Sequence, residues 1–283
     1  MSGYDTVSFL SDLGTDSETV GVVHSVVRQL APHVRVIDLT HGIEPFDVRA
    51  GSLALSRAVP FVAPGVVIAS VDPGVGTARR LVGVEIEGGV FLGPDNGLLA
   101  GAVAMVGGAG RVTSLDDPQF QLGWHGPTLA VRDVLAPVAA HLCNGAEFSD
   151  LGEELDAALL MPGLVPVARV EDEGLVCEVL WVDRFGNAQL NIDRDDIAWE
   201  TGSIGLSIGG RSRRARLVRT FDDLGVGEVG LLIDGSGLLS MVASRSSIAE
   251  ELGLTVGSEV IVSTDDGEPS VVTTAVTLGR SGG

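Results

Sequence analysis

Lysine is missing from this chain: all 18 basic residues among its 283 are arginine. That excludes Schiff-base catalysis, pyridoxal attachment and a phosphate loop built on a Walker lysine. Cysteine is nearly missing too. Cys143 and Cys177 stand in apolar contexts without metal-type spacing, so they read as reduced core thiols of a cytoplasmic protein. No uncharged apolar run approaches membrane-spanning length, and the polar start, Met1 to Asp5, precedes an apolar run only a strand long. Neither a bilayer span nor a signal peptide is therefore expected. There is no His-x-x-His pair and no clustered Asp/Glu/His set, which argues against a metal site. Gly74-Val75-Gly76 lacks the third glycine of a dinucleotide fingerprint, and a Gly-x-Ser-x-Gly elbow is absent. Basic charge is scarce as well: 38 acidic residues against 18 basic leave a net charge of −20. Nucleic acid and anionic membrane are thus disfavoured as partners.

What is present fits a globular α/β protein with many tight turns, 45% hydrophobic and holding 39 glycines. The length favours two domains. Thr6 to Ser11, Val34 to Leu39 and Val66 to Ser70 read as strands; Thr19 to Leu30 and Asp47 to Val59 read as the helices between them. This β-α-β-α-β order predicts a mostly parallel sheet with right-handed crossovers. Leu81 to Ile86 and Val90 to Leu92 follow as a strand pair, then helices through Val106 and over Val131 to Cys143. From Ala168 onward short alternating strands dominate, among them Ala215 to Thr220 and Val271 to Leu278, with one helix over Ser246 to Gly253. The expected organisation is an α/β domain over 1–160, a linker over 161–172, and a smaller all-β, antiparallel, barrel-like domain over 173–283.

The chain is organised around Val71-Asp72-Pro73-Gly74-Val75-Gly76-Thr77-Ala78-Arg79-Arg80. Asp72 ends a buried strand, where open α/β sheets place their ligand crevice, and Arg79 can fold back over the same loop; on these residues alone, a loop-capping Asp72 with Arg79 as a solvated surface charge is the favoured alternative. Asp12 ends the first strand in the same way and could grip a ribose cis-diol; a turn-capping role is an equal alternative. In Asp183-Arg184-Phe185-Gly186-Asn187, Phe185 offers a stacking face and Asn187 the paired donor and acceptor an adenine edge needs. The same five residues also make an ordinary β-turn. Of the histidines, His125 is the one on a loop before a helix.

Taken in order, six segments resemble the S-adenosyl-L-methionine (SAM) hydroxide adenosyltransferases, relatives of the fluorinase and chlorinase enzymes. They are Ser11-Asp12-Leu13-Gly14; Asp38-Leu39-Thr40-His41 with Pro45-Phe46-Asp47-Val48; the Asp72 loop; Gly93-Pro94-Asp95-Asn96-Gly97-Leu98-Leu99; Ala136-Pro137-Val138-Ala139-Ala140-His141-Leu142; and Asp183-Arg184-Phe185-Gly186-Asn187. The resemblance implies SAM as substrate with no separate cofactor, and attack of water on ribose C5′ to give adenosine and L-methionine. It also implies a homotrimer, with SAM held between the first domain of one subunit and the second domain of the next. By similarity Asp12 binds the ribose hydroxyls and Phe46 packs near the sugar and sulfonium. Asn187, Phe221 and Arg245 frame the adenine, and Asp183 and Ser236 hold the methionine end. Asp72 orients and polarises water, and Arg79 is expected to favour its ionised form. A carboxylate there repels the halide that the halogenases use.

One departure stands out. The family carries a histidine before the Ala-Pro-Val-Ala-Ala helix, where this chain has Ala130 in Thr128-Leu129-Ala130-Val131-Arg132-Asp133. His125 is the candidate substitute. The same departure motivates two alternatives: a SAM- or adenosine-binding protein with weak or lost catalysis, and an enzyme of this fold using another nucleophile such as halide.

Overall fold

A computed structural model describes residues 3–123, 126–163, 165–172, 174–197 and 203–264. The chain divides into two compact units, Met1–Val165 and Pro166–Gly283.

The first unit runs β1 (Thr6–Ser11), α1 (Glu18–Leu30), β2 (Arg35–Thr40), α2 (Val48–Ala58), β3 (Gly65–Ser70), β4 (Leu81–Ile86), β5 (Gly89–Pro94), α3 (Ala100–Met105), β6 (Val112–Ser114), α4 (Ala136–Cys143) and β7 (Glu154–Leu155). Its strands form one sheet in the order β2-β1-β3-β5-β4-β6-β7. The β2-β1-β3-β5 half is parallel, as the β-α-β-α-β pattern predicts, and the rest pairs antiparallel. Alternate strand residues face opposite ways. Val7, Phe9, Val66, Ile68, Val90 and Leu92 bury against Val23 and Val27 of α1 and Val138 and Leu142 of α4. Leu10, Val67, Ala69, Phe91 and Val84 bury against Leu55 of α2 and Ala102 of α3. Strands covered on both faces read as continuous apolar runs, which is why they were legible. The helix expected over Val131 to Cys143 opens as a π-helical turn, Val131–Leu135, before α4.

The second unit holds β8 (Arg169–Glu171), β9 (Gly174–Val182), β10 (Ala188–Asp193), β11 (Ser203–Ile208), β12 (Arg211–Leu217), β13 (Val229–Ile233), β14 (Leu238–Ala243), α5 (Ile248–Leu252) and β15 (Glu259–Thr264). Seven of these strands close into a barrel, β10-β14-β13-β12-β11-β15-β9 and back to β10, with β8 added outside β9. All pairs are antiparallel except β12 with β13, which a crossover makes parallel. Closure removes the exposed sheet edges a small β unit would otherwise carry. Leu190, Ile192, Leu231, Leu239, Met241 and Val260 fill the interior. The strand expected over Ala215 to Thr220 lies instead at Arg211–Leu217. Gly209 and Gly210, with φ of 54° and 77°, form a two-residue turn, so pairing starts directly with Ile208 opposite Arg211. Val271 to Leu278 falls outside the described residues.

Candidate active site

The first unit gathers its polar groups at the carboxyl ends of β1, β2 and β3, the crevice position of parallel sheets. Ser11 and Ser70, the last residues of β1 and β3, are in register, and the Asp12 N–H donates to the Ser70 carbonyl at 3.3 Å. Asp12 and Asp72 therefore leave neighbouring strands side by side. Asp12 Oδ2 accepts the Phe46 N–H at 2.9 Å. Phe46 sits at φ 71° and is 71% exposed. A bulky residue in the left-handed region is strained, and such strain persists where surrounding contacts over-determine it, commonly at ligand sites. Among the described residues only Phe46 and Arg245, at φ 57°, combine a side chain with positive φ.

Asp72 is held by its own loop. Gly74 N–H donates to Oδ1 at 3.1 Å, the Arg79 guanidinium donates through Nη2 to Oδ2, and Arg79 Nη1 donates to the Arg80 carbonyl at 2.6 Å. Asn96 fixes the strand exit by donating to the Val71 carbonyl at 3.0 Å. The Arg79 and Asp72 side chains are only 13% and 8% exposed, and that shielding decides the electrostatics. Burial pushes the Asp72 carboxyl above the usual carboxylate range, and neither Arg79 nor the Gly74 N–H fully offsets it; the Asp12 charge adds to the rise. Arg79 favours the ionised form, as expected of it, but desolvation is the larger influence and the net shift is upward.

Thr77, Arg79, Gln121, Ala130 and Asp133 share a cleft of about 460 Å³. The position where the family histidine is replaced therefore faces the same space as Arg79, and a methyl group leaves that space open. His125 and its neighbour Trp124 lie outside the described residues. A second cavity, about 380 Å³, is lined mainly by apolar residues such as Val84, Leu99 and Val103. Its carboxylate, Asp95, is engaged by Arg80 at 2.6 Å and by the Met161 N–H at 2.8 Å, a structural arrangement.

In the second unit the Asp183–Asn187 turn and the segment before α5 come together. Asp183 Oδ1 accepts the N–H groups of Phe185 and Asn187 at 2.8 and 2.9 Å, and Oδ2 accepts the Asn187 carboxamide at 2.8 Å. Gly186, at φ 83°, lies so close to Ser247 that a Cβ would meet its Oγ at 2.0 Å. The Gly186 carbonyl accepts the Ala249 N–H at 3.0 Å. Asn187 is thereby oriented, Phe185 stands 72% exposed, and Arg245 lies two residues before Ser247. Phe221 opens a short 3₁₀ turn on the β12–β13 crossover, 48% exposed. Ser236 is placed apart. It lies in the β13–β14 turn, and the register of β10 on β14 (Ala188 with Met241, Asp193 with Leu238) sets that turn at the opposite end from Asn187 and Arg245. Its organiser is Asp234, which accepts from Ser236 N–H, Gln189 and Ser240 at 2.6–2.8 Å. Sequence reasoning passed over Asp234, Asn96 and Ser11, whose only signal is position in a turn or at a strand end.

An α/β unit with a shielded Asp–Arg pair at its strand ends, followed in the chain by a closed β-barrel, is the build of a small-molecule enzyme. Comparison with known proteins agrees: residues 7–152 match the SAM hydroxide adenosyltransferase N-terminal domain and residues 177–261 the C-terminal domain of the same family. The chain belongs to the SAM hydroxide adenosyltransferase family. It is 37% identical over 262 residues, 93% of this chain and 99% of the relative, to the (R)-S-adenosyl-L-methionine hydrolase of Salinispora arenicola. Against the Thermus thermophilus enzyme of the same name identity is 38% over 262 residues, covering 90% and 98%. A fluorinase from an Actinoplanes species is 26% identical over 92% of this chain and 98% of its own. Among solved structures, an uncharacterized conserved protein from Thermotoga maritima superposes with a TM-score of 0.83 at 29% identity, covering 91% of this chain and 99% of that one.

Proposed function

We propose that this enzyme hydrolyses SAM to adenosine and L-methionine. The observation that carries the reading is the shielded Asp72–Arg79 pair beside Asp12 in a chain 37% identical over nearly its whole length to a named SAM hydrolase. The step is a substitution: a water oxygen forms the bond to ribose C5′, the C5′–sulfonium bond breaks, and methionine leaves as a neutral thioether. The water proton passes to the Asp72 carboxylate and then to solvent. A carboxyl raised above its usual range by burial is a better proton acceptor at neutral pH than an exposed one. A chloride or fluoride ion in the same place meets its negative charge. Expulsion of the neutral thioether needs no electron sink, so the step as written calls on no cofactor beyond SAM itself.

Asp12 binds the ribose hydroxyls, Phe46 lies against the sugar and sulfonium, and Phe185, Asn187, Phe221 and Arg245 take the adenine. Asp183 organises its turn through three accepted hydrogen bonds, and by resemblance it also faces the methionine end. Ser236 is read as a methionine-end residue and lies at the other end of β14 from Asn187. The resemblance also supports a homotrimer working in the cytoplasm, with two different copies completing each SAM site; light scattering on purified protein reads the trimer directly. No helix among the described residues is long and apolar enough to cross a membrane.

The test is incubation with each sulfonium epimer of SAM, since the relatives' names specify the (R) form, followed by chromatography for adenosine and methionine. Equimolar products are expected, with Asp72→Asn lowering kcat/KM by about 10²–10⁴-fold while adenosine still binds. Full activity in Asp72→Asn removes the proposed base. Binding without turnover, or chlorodeoxyadenosine formed from chloride, refutes the hydrolysis.

A further inference from the structure

His24, Asp38 and His41 are titratable groups beside the site that the proposed reaction leaves unused, and with Ser11 they form one chain of close polar contacts. His41 follows β2 and is 7% exposed, its ring edge-on to Phe9 at 4.6 Å between centroids. Its Nδ1 lies 2.7 Å from Ser11 Oγ and its Nε2 3.0 Å from Asp38 Oδ1; His24 Nε2 reaches that same oxygen at 2.8 Å. Ser11 Oγ also accepts the Leu13 N–H at 3.3 Å.

The partners are those of a nucleophilic triad, but Ser11 is 0% exposed and cannot meet a substrate. The chain's output must therefore be positional. Leu13 N–H donates to Ser11 Oγ, Ser11 Oγ and His41 Nδ1 share a hydrogen bond, and His41 Nε2 faces Asp38 Oδ1 at 3.0 Å without the alignment of a hydrogen bond. Burial lifts the Asp38 carboxyl, yet the contacts from His41 and His24 outweigh it and hold the group below the ordinary range, so the anchor stays charged. What the chain holds is the Asp12 loop. Ser11 and Leu13 flank Asp12, and the Gly14 N–H donates to the His41 carbonyl at 2.9 Å. Phe46 N–H occupies Asp12 Oδ2.

We propose that His41 is a positioning residue: through Ser11 it fixes the backbone on both sides of Asp12, so that the Asp12 carboxylate meets the two ribose hydroxyls of the nucleoside. The proposal rests on the reading of Asp12 as the ribose ligand, and the experiment separates the two.

Calorimetry compares adenosine with 2′,3′-dideoxyadenosine on the wild type and on His41→Ala, His41→Asn, His41→Gln, Ser11→Ala and Asp12→Ala. Two hydrogen bonds to a charged group give the wild type a preference for adenosine of about a hundredfold or more. In His41→Ala and Ser11→Ala that preference falls below about tenfold while dideoxyadenosine binds as before, because only Asp12 has lost its aim. His41→Asn, which keeps a polar atom at the Nδ1 position, restores most of the preference; His41→Gln, which keeps one only at the Nε2 position, does not. An intact preference in the alanine variants overturns the proposal, as does equal weakening of both ligands, the mark of a general structural fault. A wild type that does not discriminate, and matches Asp12→Ala, removes the ribose reading of Asp12 and the proposal with it. Ser11→Ala deletes one oxygen from a packed site and serves as the informative variant if His41→Ala fails to fold.

Discussion

Replacing Arg79 by leucine isolates the guanidinium charge, since the apolar stem is roughly kept. In the wild type Asp72 is subject to two lowering influences, Arg79 and the Gly74 N–H, and two raising ones, burial and the Asp12 charge. Arg79→Leu deletes the larger lowering influence and leaves the burial. A neighbouring guanidinium typically holds a carboxyl down by about 1–3 units, so the Asp72 carboxyl of the variant should rise by about that much above its wild-type position. The base form is what reacts, so the acid limb of kcat/KM against pH moves up by the same amount. The assay is adenosine release between pH 4 and pH 10. The plateau also falls, because Arg79 supports the developing hydroxide, but the limb's position is independent of the plateau's height. Stability carries the same sign. A carboxyl raised in the folded state contributes stability below its unfolded value near 3.9, and that contribution is lost as pH climbs through the folded value. The variant's Tm should therefore keep falling with pH beyond the folded value at which the wild type's loss is complete. A limb that stays put, or moves down, refutes the electrostatic account of the site.

Phe46→Gly should raise stability by about 1 kcal/mol by relieving the left-handed backbone of an exposed residue, while raising KM for SAM; thermal melts and kinetics report the two separately. Gly186→Ala should cost about 2–4 kcal/mol in urea unfolding, since its Cβ would meet Ser247 Oγ at 2.0 Å and the backbone is at φ 83°. Ala130→His fills the open cleft beside Arg79 with an imidazole and should raise kcat about tenfold or more, the low end of acid–base assistance. In the same assay His125→Ala decides whether the loop histidine already supplies that function: a loss of turnover assigns it the role, and unchanged turnover withdraws it.

The parallel half of the first sheet was legible because β1, β3 and β5 are apolar on both faces, and their ends point to Asp12 and Asp72 without further information. The barrel was legible as a spacing of short strands. Its one misplaced strand shows where composition misleads: Arg211 to Arg214 carry no apolar signal, but the Gly209-Gly210 turn forces them to pair with β11. The paired glycines carry the turn signal there, and hydrophobicity carries none. The surroundings of Asp183 and Ser236 were hidden for a different reason. What a side chain faces depends on which neighbours have already claimed it, and on strand register, and neither is written in a five-residue motif.

The sign of the Asp72 shift is decided by packing. A carboxylate seven residues from an arginine invites the inference of a depressed pKa, and that inference treats the pair as though it sat in water. In the fold the same loop that brings Arg79 onto Asp72 also shields both side chains, so the attraction and the desolvation arrive together and the second is larger. For a base that must take a proton from water near neutral pH, this balance is useful. Arg79 keeps enough of Asp72 ionised to act and to repel halide, while burial makes the ionised form eager for a proton. An exposed Asp–Arg pair of identical sequence would be a weaker base and a poorer barrier to solvent. The chemistry thus depends on how deeply the loop at 72–79 is packed, as much as on which residues it carries.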